Sequence, residues 1–594
     1  MATFLSGLEN GLDETDFDFH DEAPSFFYGL KQRDKDKRAQ ALEQIRKTVE
    51  IWGQHKDEET AKKLLTVQLP TILRLSVESP FEDVRTAFTK MVATLKEAGV
   101  TVPDILHLGP SSFIRECNKN LFVAEDPLTQ LDASSTALFV EAFINQLRVS
   151  RLIQLLGYHP KYLQCFLRTH NFLMRGDGPL SYPFRHYIAI MAASRHRCSY
   201  LVSIQEKEFL EQKGNRDWLQ GLDHIPQKLR NLLTLNKLLA HQPWKVQADL
   251  FKDLLIGPES FSLGELAHAI LIMTHYHALS SFALGCGVNP EIDSPQGHYY
   301  GDLSLLIPFC YQGNPALGVI GTTSDSEVTD SDVGFSPLNS SPGYLVNSID
   351  KHFAMPLNNT SINGSSFNNV CNGTESSLLH TLKTVSVINF DPELETKESM
   401  DREFRESQSV CDLDFKKPIT PVVTPQDLIK YLEDPNYSHE DIESTSPLKD
   451  GEYSWEDHAY PLLDRLYPDS GYILDEKFTL AYNLTYHNVG EHKNVDTENF
   501  RRAVWNYIQA IKGIRHDDYN YREVNSVLVK RFKSYIRMVA CYPEQITEFD
   551  FSGQIESLGL GFSEKIHVNM IVLEARLQAE LLYAFRALMK YMKQ

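Results

Sequence analysis

Cys198 stands directly after Arg195, His196 and Arg197. Positive charge beside a thiol favours the thiolate, which can attack a peroxide oxygen and become a sulfenic acid. The alternative is a cysteine packed as a small hydrophobe on a core helix, the usual fate of buried cysteines. A second constellation, Arg515-His516-Asp517-Asp518-Tyr519, sets two adjacent carboxylates beside a tyrosine after the apolar run 503–508. Such a group at a helix end suits a protein-docking patch, since tyrosine is enriched at interfaces and charge steers association. A solvated turn is the other reading. Glu265, His268, His275 and His277 superficially resemble a di-iron helix, but no second Glu-x-x-His copy accompanies them. They read as packing histidines. With no paired Cys-x-x-Cys, nucleotide-binding loop or hydrolase elbow, neither a metal nor a cofactor is expected.

The bulk chemistry narrows the classes. The 594 residues are 42% hydrophobic and 23% charged, enough for a real core in three or four units. A net charge of −21 repels phosphate backbones and anionic lipid, so no nucleic acid partner is expected. No apolar stretch is long enough for a membrane span, and residues 1–5 do not begin a leader peptide. Eight scattered cysteines suit a reducing compartment. The expected location is cytoplasmic, compatible with a nuclear pool.

The elements that must position these groups are helical. Residues 1–35 are acidic and lack helical periodicity, so they are expected to be mobile. Leu42, Ile45, Val49 and Ile51 mark one helix. Residues 71–75 and 84–88 mark two more, parted by Glu78-Ser79-Pro80 in the manner of a HEAT-like hairpin. Residues 138–147 form an amphipathic run, 187–193 an all-apolar helix, and 261–282 a long helix or helix pair. From 313 to 381 the composition turns to Ser, Asn, Gly, Thr and Pro, and an acidic tract follows to 450. This stretch reads as a flexible insert, because it has too little apolar surface to offset its ordering entropy. Order is expected again from Tyr453, ending in a helix over 564–594. The fold class is all-α, divided as 1–100, 101–310, 311–450 and 451–594.

The block from Arg185 to Val202 is similar to the signature helix of sestrins. So are Gly157-Tyr158-His159-Pro160 and Asn236-Lys237-Leu238-Leu239-Ala240-His241 in the same half. In the C-terminal half the similarity continues at Trp455-Glu456-Asp457-His458, Arg465-Leu466-Tyr467-Pro468, Asp475-Glu476-Lys477-Phe478 and Ala540-Cys541-Tyr542-Pro543. The resemblance implies two halves that are each like an alkylhydroperoxidase (AhpD-like) helical domain, packed together, with the insert between them and an extra N-terminal helical segment. It implies a peroxide-reducing site at Cys198 and Tyr200, with Gln205 standing where the family pattern has a histidine. Glutamine cannot exchange a proton near neutral pH as imidazole can.

The resemblance also implies leucine, or another free amino acid, as a ligand of the C-terminal half. An enclosed amino acid needs an acid for its ammonium and a base or helix N-terminus for its carboxylate. The matching residues are Glu564 for the ammonium, Arg501 for the carboxylate, Thr485 and Tyr486 as a hydroxyl floor, and Thr497 on the lid. His159 matches a histidine that pins the lid from the other half. Asn488 replaces a threonine, Phe500 replaces a leucine, and the family's pocket tryptophan has no counterpart in 546–562. Thr497 lies one turn before Arg501, which shares its face if the helix starts at Asp496-Thr497. Asp517, Asp518 and Tyr519 match the patch that contacts the GATOR complex, upstream of the TOR kinase. The implied function is a stress- and amino-acid-responsive negative regulator of TOR signalling. The alternative is a thiol-dependent alkyl hydroperoxide reductase centred on Cys198.

Overall fold

Proline has no backbone N–H to donate, so Pro80 breaks what would otherwise be one long amphipathic helix. In the computed structural model helix α1 spans Lys35–Gln54, α2 Glu59–Glu78 and α3 Glu82–Glu97. The structure describes residues 25–103, 109–118, 133–294, 296–297, 378–379, 381–382, 396–409, 426–442, 447–484, 488–555 and 558–594. Nearly all of the Asn/Ser-rich insert lies outside them. Asp34 caps α1 by accepting from the N–H groups of Asp36 and Lys37. Leu42, Ile45 and Val49 are buried as their spacing predicts, whereas Ile51 is exposed because it falls off that stripe. The expectation of a mobile start fails from Ser25 onward. A short 3-10 turn, Ser25–Leu30, buries Phe27 and Leu30, with the Phe27 ring 6.0 Å from Phe88.

Two stretches of the chain close with the same order of elements, a helix, a proline-opened turn, a short helix and a long one. In the first half α4 (Ala133–Gln146), α5 (Pro160–Met174), α6 (Tyr182–Arg195) and α7 (Ser199–Glu211) lead to α8 (Leu233–His241). A 3-10 turn opened by Pro243 follows, then α9 (Asp249–Leu255) and α10 (Leu263–Gly285). In the second half α11 (Lys397–Gln408), α12 (Ser470–Asn483) and α13 (Glu498–Ile511) precede α14 (Lys530–Cys541). Again a turn opened by Pro543 leads to a short helix, α15 (Glu548–Ile555), and a long one, α16 (Phe562–Met592). Both long helices carry a glutamate at their third position. Glu265 accepts from the Ser262 N–H, and Glu564 from the Gly561 N–H. These two helices pack on each other at the centre, and residues 185–195 of α6 are buried on every side.

Among the described residues, named strands are confined to two-residue pieces. β1 (Leu448–Lys449) pairs in parallel with β4 (Ile514–Arg515), and β2 (Asn488–Val489) forms an antiparallel hairpin with β3 (His492–Lys493). The class is all-α. Among the described residues no helix is long and apolar enough to cross a membrane.

The flexible-linker expectation is corrected at two places. Helix α11 docks through Arg522 and Glu403, 2.5 Å apart, and through an Arg515–Asp401 pair. Residues 426–442 form a strap across the first half. Arg195 Nη1 donates to the Glu433 carbonyl at 2.7 Å, Arg195 Nη2 to Tyr437 at 3.1 Å, and Arg197 to Pro435 at 3.3 Å. Backbone carbonyls make these contacts, and carbonyls leave no trace in composition.

Candidate functional site

Four helix ends meet where the resemblance places an amino-acid site. Thr497 is the N-cap residue of α13, but Asp496 supplies the capping oxygen, accepting from the Glu498 N–H at 2.9 Å. Thr497 Oγ1 instead accepts from Arg501 Nε at 3.3 Å, one turn on. Arg501 Nη1 donates to the Tyr482 carbonyl at 2.6 Å, at the end of α12. Arg501 as a whole is only 8% exposed and forms no ion pair among the described residues. Burial holds its pKa below the usual range.

Glu564 is equally buried and equally without a cation. Its carboxylate accepts from Gly490 N–H at 2.9 Å and Gly561 N–H at 2.7 Å, tying the β2–β3 hairpin to the start of α16. Gly490 has φ +60°, and an added Cβ would meet the Gly559 carbonyl at 2.3 Å, so only glycine fits this turn. Burial raises the Glu564 pKa, while the two N–H groups oppose the shift. His159, just before α5, donates from Nε2 to the Ser563 carbonyl at 2.9 Å, and burial lowers its pKa to about 4. The sequence reading passed over His567. It lies one turn past Glu564, its ring 5.7 Å from His159, and donates to the Ala481 carbonyl at 3.3 Å. The i, i+3 spacing from Glu564 was the available signal. Thr485 and Tyr486 lie outside the described residues. Asn488 is exposed on β2, and Phe500 stacks on Phe532 in the core with centroids 5.5 Å apart.

The positive residues that adjoin Cys198 in the chain turn away from its thiol. Cys198 is fully buried, and its arginine neighbours point to the strap. Burial pushes its pKa up to about 12, despite hydrogen bonds to its sulfur from Leu201 N–H and Ser280. Tyr200 donates to Glu291 Oε1 at 2.6 Å, and Gln205 Oε1 takes a hydrogen bond from His186 Nδ1 at 2.8 Å. His186 is held neutral by burial. Near pH 7 a thiol whose pKa is raised this way stays in its protonated, poorly nucleophilic form. Brief peroxide treatment of the native protein, followed by sulfenic-acid trapping and mass spectrometry, should therefore leave Cys198 unmodified. A trapped adduct at Cys198 would show that the thiolate forms after all. Cys541 is the contrasting thiol. Burial alone would raise its pKa, but the charges of His439 and Lys512 bring it down to about 6.

At the docking patch Asp517 is 46% exposed and accepts from Arg515 Nε at 2.8 Å. Asp518 is exposed too. Tyr519 lies beneath them, 7% exposed, with its ring edge-on to Tyr521 at 5.1 Å. It supports the patch rather than forming its surface.

The four-helix junction and the two long helices packed on each other at the centre define an all-helical protein. A family model described as PA26 p53-induced protein (sestrin) matches residues 118–592. Sestrin-1 of Xenopus laevis is 39% identical over 509 residues, 84% of this chain and 95% of its own. The sestrin homolog of Drosophila melanogaster is 40% identical over 464 residues, 75% of this chain and 93% of its own. Sestrin-2 of Homo sapiens is 37% identical over 493 residues, 82% of this chain and 91% of its own. The chain belongs to the sestrin family.

Proposed function

We propose that this protein is an amino-acid-responsive negative regulator of TOR signalling that acts in the cytoplasm by holding the GATOR complex. Its two AhpD-like halves serve as a scaffold, and the C-terminal half binds leucine. The observation that carries this reading is the presence at one junction of two buried charges that form no ion pair among the described residues. Arg501 turns to the Thr497 hydroxyl and the Tyr482 carbonyl, and Glu564 to two backbone N–H groups, instead of to each other. A free amino acid brings the two charges they lack, a carboxylate for Arg501 and an ammonium for Glu564. Arg501 sits in the first turn of α13, and Asp517 lies six residues past the end of that helix at Ile511. Ligand entry at one end can bias the patch at the other if the two states differ in partner affinity. The buried, protonated Cys198 gives the hydroperoxide reductase alternative no support.

Thermal unfolding with leucine, isoleucine or arginine tests the ligand. Stability should rise by about 2.7 kcal/mol at a hundredfold excess over the dissociation constant. The shift should be selective for leucine and absent in Glu564→Gln, which keeps an acceptor for Gly561 without the charge. Equal midpoints with and without every amino acid would sink the ligand reading.

A further inference from the structure

Next to the docking carboxylates lies a cavity of about 430 Å³ between α12 and α13. Its wall is aromatic and continuous. The Trp455 and Phe478 rings meet edge-on at 5.0 Å, Phe478 and Trp505 at 6.4 Å, and Tyr482 and Trp505 at 5.5 Å. Its rim is acidic, carrying Glu456, Asp475 and Asp518. Trp455 Nε1 donates to Asp475 Oδ1 at 2.9 Å and so fixes that carboxylate. None of the three acids forms an ion pair among the described residues. Among the described residues the one arginine on the wall, Arg502, is already paired with Glu523 at 2.8 Å. Tyr519 also lines the cavity, with its hydroxyl buried beside Glu523.

Aromatic faces and edges ringed by unpaired carboxylates attract a cation. A guanidinium fits better than an ammonium, because its plane stacks on rings while its fork meets a carboxylate bidentately. We propose that this cavity receives an arginine side chain of the protein that docks on Asp517 and Asp518, an inference resting on the docking reading above. Asp518 belongs to both features, so one partner segment can span them. Tyr482 also joins the cavity to the amino-acid junction, since its ring lines the one and its carbonyl accepts from Arg501 in the other.

Two of the five tryptophans line the cavity, so intrinsic fluorescence reads its occupancy. The full chain is titrated with N-acetylarginine amide, N-acetyllysine amide and N-acetylnorleucine amide. The arginine probe should give a saturable change, the lysine probe a weaker one, and the norleucine probe none. Asp475→Asn keeps the acceptor for Trp455 and should weaken arginine binding at least fivefold with an unchanged melting midpoint. No saturable response, or equal responses in wild type and Asp475→Asn, overturns the site. Capture of the GATOR complex by Asp517→Asn, measured in parallel, reports on docking alone. Arginine binding with undiminished capture would overturn the docking reading, and with it the partner named here.

Discussion

Replacing Arg576 with methionine is expected to lower the stability of the folded protein by about 3–5 kcal/mol, the cost of orphaning a buried charge. Arg576 and Glu580 are both fully buried, joined at 2.7 Å along one turn of α16. Arg576 also donates to Ser281 Oγ at 2.5 Å, to the Ala240 carbonyl at 2.9 Å and to His196. Glu580 in turn holds His277 Nδ1 at 2.9 Å, and His277 Nε2 meets Asn236 Oδ1 at 2.8 Å. One polar chain thus ties α16 to α10 and α8 through the centre of the molecule. Methionine fills similar volume but strands the Glu580 carboxylate, whose pKa is now held down against burial by Arg576 and His277. Urea denaturation of the single variant and of Arg576→Met/Glu580→Leu checks the argument. The double variant should regain much of the loss, because an apolar pair removes the charge along with its partner. A single-variant loss under about 1 kcal/mol would mean that Glu580 finds another way to be neutralised.

The second large effect lies where the N-terminal helices meet the first half. The side chain of Asp293 is 5% exposed and lies 3.0 Å from Arg74 of α2, 2.5 Å from Arg148 and 3.8 Å from Lys207. Burial would raise its pKa, but these three cations hold it well below the usual carboxylate range. A carboxyl with a depressed folded pKa contributes its full stability above the unfolded value of about 3.9 and loses it as pH falls toward the folded value. Asp293→Asn should therefore cost about 3–5 kcal/mol near pH 7 by leaving the buried Arg74 without its charge partner. Below about pH 4 the gap between variant and wild type should begin to narrow, and it should keep narrowing as the pH falls toward the folded value. Urea midpoints across a pH series measure both. A constant difference at every pH would show that Asp293 acts through shape instead of charge.

Much of the helical layout was legible in the sequence. Leu42, Ile45 and Val49 announced their stripe, Pro80 its break, and the all-apolar 187–193 its burial, because helical period and proline chemistry are local. The net charge and the family motifs were likewise readable without coordinates. Tertiary structure alone decided what the charged groups do. Arg195 and Arg197 adjoin Cys198 in the chain, yet their guanidinium groups reach strap carbonyls more than two hundred residues away. The thiol was left buried, and burial pushes its pKa up. Glu564 finds Gly490, and the aromatic cavity gathers Trp455, Asp475, Trp505 and Asp518 from separate elements. Periodicity follows from the backbone of one segment. Desolvation and charge pairing depend on which distant segments close over a side chain, and only the packed molecule determines that.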